Sequence, residues 1–278
     1  YVDKVISYEK AAVGASWVTK AMLMATHDWY QNACTTQDQI ATHLSGFTTT
    51  TTATAQSPCS SAGKLTTSAV TKAMNQGVGL VGYIGHGNPA GLAFPGGWGT
   101  RDIADLTNTS KLFMMAVSGC DTAQFATLPP YRKYTDVNGV DHVGTAGGEH
   151  FTTAPPQPAC LQKYHDPDTD LATKITVGSE AGAVAYIGGI TGMQSSDPYT
   201  YFVEAMPDSW TVGDTWKSMI VKYYQVHGQP GSISSPDWTA VARVHQPWKF
   251  MLFGDPSVRI RGERHGTWSR QNLTRAAR

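Results

Sequence analysis

The chain has 278 residues and a hydrophobic share of 41%, enough for a sizeable core in one large domain or two small ones. Its 21 Lys and Arg balance 21 Asp and Glu, and no basic patch stands out in the body of the chain, so nucleic acid is not an expected partner. Charged residues make up 15%, below the roughly 25% of an average soluble domain. Thr, Ser, Gly and Gln take their place, which points to a secreted or cell-envelope protein; no apolar run reaches the ~18 residues of a membrane span, and no leader peptide is visible.

The stretch "AMLMATHDW" (21–29) is apolar and short, and suits either a helix or a buried strand. "QDQIATHL" (37–44) spaces Ile40 and Leu44 as a helix does. "FTTTTTATA" (47–55) is a β-branched run and reads as a strand, with a Thr-rich linker as its rival; the helical patterns on either side favour the strand. "TTSAVTKAMNQG" (66–77) predicts a helix stopped by Gly77. "VGLVGYIG" (78–85), "KLFMMAVSG" (111–119) and "AGAVAYIGG" (181–189) are continuous apolar runs, the pattern of strands buried on both faces. "VGDTWKSMIVKYYQVHG" (212–228) predicts an amphipathic helix closed by Gly228. Buried strands alternating with helices predict an α/β fold, a mostly parallel sheet flanked by helices on both faces.

Residues 126–165 break this rhythm. Asn138-Gly139 between β-formers signals a hairpin, and Pro155, Pro156 and Pro158 mark an irregular loop, so the region reads as an insertion on the rim of the sheet after strand 111–119. The Arg-rich, unpatterned stretch 261–278 reads as a tail or linker, leaving residues 1–260 as the domain.

Ligands in an open parallel sheet gather beyond the carboxyl ends of its strands. His86 and Cys120 each follow such an end, 34 residues apart, a spacing that suits strand, crossover helix and next strand. Side by side there, a Cys and a His make a nucleophile–base pair. Gly85 and Gly87 would let substrate backbone approach the ring and leave amide groups for an oxyanion. Either residue taken alone reads first as part of the framework, a hydrogen-bonded His or an inert small hydrophobe, and it is their joint placement at two successive strand ends that brings the catalytic reading level with it.

Other features carry less. Asp166, Asp168 and Asp170 alternate as calcium ligands do, but without the following Gly and distal Glu, so the spacing alone reads as a solvated loop. His142, His150, His165 and Cys160 cluster in the insertion without a standard zinc spacing. Asn108-Thr109-Ser110 and Asn272-Leu273-Thr274 fit the short glycosylation pattern. Of four cysteines, Cys34 and Cys59 flank the helix and the Thr-rich strand and are the expected disulfide pair.

"YIGHGNPAGLAFPGGWG" followed by "LFMMAVSGCDTAQF" resembles the His and Cys blocks of the gingipain family of cysteine peptidases. "KVISYEK" near the start and "WKFMLFGDPSVRI" (248–260) resemble two further family blocks, and all four stand in family order. The resemblance implies a caspase-like fold and a cysteine endopeptidase acting on protein or peptide substrates, with no cofactor required for chemistry. It makes Cys120 the nucleophile and His86 its base, with the N–H groups of Gly87 and Cys120 as oxyanion hole. Counted from the matched Trp17, Asp28 stands where the family has a Glu that orients the His, which favours a strand for 21–29. An Asp reaches one methylene less far than a Glu.

Members carry a further α/β subdomain before the "YEK" block, which these residues do not include. Arg-cleaving members hold the substrate P1 side chain (the residue before the cleaved bond) with an acid that would fall near "QNACTT" (31–36); that stretch has none, and Asp38 is the nearest. The segments after the strands nearest the dyad, Ile190, Thr191, Gly192, Met193, Gln194 and Ser195 with Asp38, are the expected substrate pocket. They offer no deep acid, so a polar or small uncharged P1 residue is expected first and a basic one second. Calcium in the family implies a structural ion at Asp166, Asp168 and Asp170. A sortase-like acyl-transferase and an inactive interaction module are the alternatives to a peptidase.

Overall fold

In the computed structural model, residues 1–26, 33–53, 63–125, 132–159, 170–193, 195–228 and 246–260 are described. Counted along the chain, seven strands form one sheet: β1 (Lys20–Ala25), β2 (Thr48–Ala53), β3 (Gly63–Lys64), β4 (Leu80–Ile84), β8 (Phe113–Ser118), β11 (Ala183–Gly189) and β12 (Phe250–Gly254). Their order is β12-β11-β8-β4-β1-β2-β3, parallel throughout except for β12, which runs antiparallel to β11 at the edge. The mostly parallel α/β sheet expected from the alternating runs is therefore the fold.

Successive side chains on a strand point to opposite faces, so an unbroken apolar run supplies two cores at once. In β8, Met114 and Ala116 join one core while Phe113, Met115 and Val117 join the other. The first core receives Tyr8 and Ala12 of helix α1 (Val2–Ala12), Cys34 and Ile40 of α2 (Ala33–His43), Phe202 and Val203 of α5 (Asp197–Ala205) and Met219 of α6 (Val212–His227). The second receives Val70 and Met74 of α3 (Thr67–Gln76) and Ala172 and Ile175 of α4 (Leu171–Thr176). Each fully buried Val, Leu, Ile, Phe or Met contributes about 1.5–3 kcal/mol, so this two-sided burial is what makes the central strands rigid.

The caps follow the sequence. Thr66 accepts the Ala69 N–H at the start of α3, and Gly77, at φ 102°, returns its own N–H to Ala73 and Met74. Thr211 and Asp214 form a capping box on α6, which Gly228 ends. The helix expected at 37–44 begins earlier, at Ala33. The Thr-rich run is strand β2 and not a linker, because it pairs with β1 over its whole length.

Short elements were not foreseen. Strands β5 (His86–Asn88), β6 (Gly91–Ala93) and β7 (Trp98–Gly99) form a small antiparallel sheet directly after β4. In the insertion, β9 (Tyr134–Thr135) and β10 (Asp141–His142) make the expected hairpin, each only two residues long. Its turn is held by Asp136, whose carboxylate accepts the Asn138 and Val140 N–H groups. The tail 261–278 lies outside the described residues.

Candidate active site

Strands β1, β4 and β8 are neighbours, and their carboxyl ends stop level: Ala25 pairs with Ile84, and Ile84 with Ser118. The ladder runs one step further, with Thr26 N–H donating to Ile84 O and Gly85 N–H to Ser118 O, both at 3.0 Å. His86 and Cys120 thus stand two residues beyond paired positions on adjacent strands. The 34-residue spacing in sequence is the register of the sheet.

The two exits touch. A Cβ added at Gly87 would lie 2.5 Å from Thr122 Cγ2, 2.9 Å from the Cys120 carbonyl oxygen and 3.1 Å from the Gly119 carbonyl carbon. Only a residue without a side chain lets the His86 strand pass this close to the Cys120 turn. Asp121, immediately after Cys120, has φ 60°, the sole non-Gly residue with positive φ among the described residues. That conformation costs on the order of 1–2 kcal/mol for an L residue, with Asp among the least penalised. The turn is held by Ala123 N–H donating to Gly189 O at 2.9 Å and Gln124 N–H to Asp121 O at 2.9 Å.

His86 is exposed, and Cys120 is half-buried and a free thiol. The Cys120 sulfur accepts the Met193 N–H at 3.3 Å. The His86 backbone is pinned from below by Tyr83, a fully buried β4 side chain whose hydroxyl lies 2.8 Å from His86 O and 3.0 Å from Ala93 O. Burial raises the Asp121 carboxyl above its usual range, opposed by the charge of Arg132.

The segment after β11, which holds Ile190, Thr191, Gly192, Met193 and Ser195 of the expected substrate pocket, approaches the thiol through Met193. Met193 touches the sulfur, and Thr191 O accepts Asp121 N–H at 3.4 Å. The segment is held at both ends, by Ile190 N–H donating to Lys249 O at 2.7 Å and by Gln246 Nε2 donating to Ser195 O at 3.1 Å. Asp38 is half-buried on α2. Its neighbour Gln37 is fully buried and braces that helix, donating to Met24 O at 2.8 Å and accepting the Tyr199 hydroxyl at 2.9 Å. Asp28 and Gln194 lie outside the described residues, as do Asp166 and Asp168. Asp170 is described and caps α4, its carboxylate accepting the Ala172 and Thr173 N–H groups. His142 is not arranged for zinc: its ring nitrogens face Glu149 at 2.6 Å and Asp136 at 3.1 Å, and no metal-binding group of side chains occurs among the described residues. Cys34 is disulfide-bonded. Cys59, its expected partner, lies outside the described residues.

Tyr83, Gln37 and Lys249 carried no signal in the sequence. Tyr83 is the one polar group in "GLVGYIG", and Lys249 stands in the "WKFMLFGDPS" block, but their partners are set only by the packed fold.

The profile of peptidase family C25 matches residues 1–261. The chain belongs to peptidase family C25. A comparison with curated proteins found no match. Among solved structures, this C25 chain is similar to the Arg-specific cysteine proteinase gingipain R (RgpB), with TM-score 0.57 and 17% identity over 93% of this chain and 51% of that one. It is similar to the complex of the Porphyromonas gingivalis RgpB pro- and mature domains, with TM-score 0.60 and 16% identity over 92% and 52%. A structure described as a protease gives TM-score 0.58 and 21% identity over 93% and 52%. The C25 chain therefore spans about half the length of the structures it matches, and at these identities the likeness shows the fold, a caspase-like sheet.

Proposed function

We propose that this C25 chain carries a cysteine endopeptidase site in which Cys120 is the nucleophile and His86 its base. The level ends of β4 and β8, which put the two residues two steps past a paired position with Gly87 against the Cys120 turn, carry the reading. His86 takes the thiol proton, because a free thiol with a pKa near 8.5 holds little thiolate at neutral pH. The thiolate attacks the scissile carbonyl, and the N–H groups of Gly87 and Cys120 hold the oxyanion, at about 3 kcal/mol per donor in comparable sites. His86 then protonates the leaving amine, and water releases the acyl-enzyme. Asp28 orients the imidazole.

Residues 190–195 with Asp38 form the P1 pocket. Lys249, which donates to Gly192 O at 3.1 Å, adds positive charge beside it and so disfavours a basic P1 residue. This supports the preference for a polar or small uncharged one. Calcium at Asp166, Asp168 and Asp170, and secretion or attachment to the cell envelope, belong to the same proposal; among the described residues no helix is long and apolar enough to cross a membrane.

The test is cleavage of a mixed peptide library by the wild type, Cys120→Ala and His86→Ala, with and without an added amine. Hydrolysis by the wild type alone supports the reading. Turnover retained by Cys120→Ala would sink it, and amide products formed only with the amine would make the chain a transferase.

A further inference from the structure

Two hydrogen bonds at the site share one peptide group. Lys249 Nζ donates to the Gly192 carbonyl oxygen at 3.1 Å, and the Met193 N–H donates to the Cys120 sulfur at 3.3 Å. Gly192 O and Met193 N are the two ends of the same planar unit. The ammonium therefore pulls electron density toward the carbonyl oxygen, and the N–H at the other end becomes a stronger donor. Hydrogen bonds in series polarise one another in this way, and a bond to an ionised acceptor is about twice as strong as one between neutral groups.

We propose that Lys249 is a positioning residue of the cysteine site, which favours the Cys120 thiolate through the Gly192–Met193 peptide. The inference rests on the reading of Cys120 as the nucleophile. The lysine is not needed to hold the segment in place: its backbone oxygen accepts Ile190 N–H and Gln246 holds Ser195, and both contacts survive loss of the Lys249 side chain. Lys249 is half-buried, and burial pushes its ammonium below the usual lysine range while the Cys120 charge acts in the opposite sense. Titratable groups on this side among the described residues include His86 on β5, Asp121 next in the chain, and Arg132, whose charge reaches Asp121. Lys249 is joined to the sulfur by a shared peptide.

The test is the pH dependence of Cys120 alkylation by iodoacetamide, followed by mass spectrometry of the Cys120 peptide, in the wild type and three variants. Lys249→Met removes charge and hydrogen bond, Lys249→Gln keeps a donor without charge, and Lys249→Arg keeps both. An opposite charge close to a titrating group shifts it by about 1–3 units, and through a peptide we expect about half a unit or more. The Met and Gln titrations should move up by that amount, which lowers the alkylation rate near pH 6 about threefold. The Arg variant should titrate with the wild type. An unmoved midpoint in either the Met or the Gln protein overturns the proposal, as does an Arg protein shifted as far as the Met one. The readout needs no peptidase activity: inactive Cys120→Ala with unmoved Lys249 titrations sinks this inference alone, whereas active Cys120→Ala sinks the proposed function.

Discussion

Tyr83 offers the sharpest prediction at the scale of one residue. A hydroxyl has one proton, so Tyr83 shares it between His86 O and Ala93 O and ties the small sheet to β4 just where His86 emerges. Tyr83→Phe keeps the ring in its core and leaves those carbonyls short of a donor, at a cost of about 1–3 kcal/mol. Chemical denaturation should show that loss, and kcat/KM should fall roughly tenfold, about 1.4 kcal/mol of misplaced His86. Unchanged kinetics in a destabilised variant would confine Tyr83 to the framework. Cys120→Ala is the opposite case. It should abolish turnover but removes only a half-buried sulfur that accepts the Met193 N–H, so Tm should move by less than about 2 °C. His86 and Cys120 were legible because a glycine-flanked polar residue after an unbroken apolar run marks a strand exit. Tyr83 and Lys249 were not, because the Tyr83 hydroxyl bonds carbonyls 3 and 10 positions on and Lys249 one 57 positions back, and no pattern reveals which carbonyls these are.

The hairpin β9–β10 is an element with its own charge balance. His142 stacks on Tyr134 and sits between Glu149 and Asp136, its side chain 11% exposed. Hydrogen bonds to Glu149 first and then Asp136 raise the His142 pKa above 6.5. Asp136 is held below 3.8, by the Val140 N–H before the His142 bond, and Glu149 below 4.5, by His142 first. The signs follow from linkage. The histidine's contribution is complete below about pH 6.5 and is lost as pH rises through its higher folded value. The carboxylates' contributions are complete above their ordinary values and are lost as pH falls through their lower folded ones. Amide exchange at Asn138 and Val140, corrected for intrinsic rates, should therefore show greatest protection between about pH 5 and 6.5, with a fall on the alkaline side that His142→Gln abolishes. Protection that is flat from pH 5 to 9 in the wild type would refute this. The sequence marked this hairpin by Asn138-Gly139, but the pairing of His142 was not legible, because three histidines and a cysteine in one stretch say nothing of which carboxylates fold against them.

Across the whole molecule, the elements were legible where burial on both faces leaves apolar runs intact, as in β4, β8 and β11. They were not where an element is short or at an edge: β12 is only partly buried, α4 has six residues, and α1 hides only Tyr8 and Ala12. Strand order was legible only in part, since spacing allowed β4 and β8 to be neighbours but could not set β1 on the far side of β4. The resulting sheet has one edge, where β1, β4 and β8 end, that carries the proposed site, and an opposite edge with a different load. There Lys4 of α1 reaches across and places Nζ within 2.7–3.0 Å of the carbonyl oxygens of Ile175, Thr176, Ser179 and Ala181. Three ammonium protons serve four acceptors, joining the first helix to the end of α4 and the approach to β11. Lys4→Met keeps much of the apolar stem but withdraws every donor. Hydrogen bonds to a charged group contribute about 1.5–3 kcal/mol each, and water can reach part of this site, so a loss of roughly 2–3 kcal/mol is expected in denaturant titration. Since Gly189, at the far end of β11, is what supports the Cys120 turn, the loss should appear in stability and leave kcat/KM within about twofold at a temperature where the variant is folded. A variant as stable as the wild type would show that the four carbonyls are satisfied without Lys4. A folded variant with a tenfold lower kcat/KM would show that the two edges of the sheet are coupled.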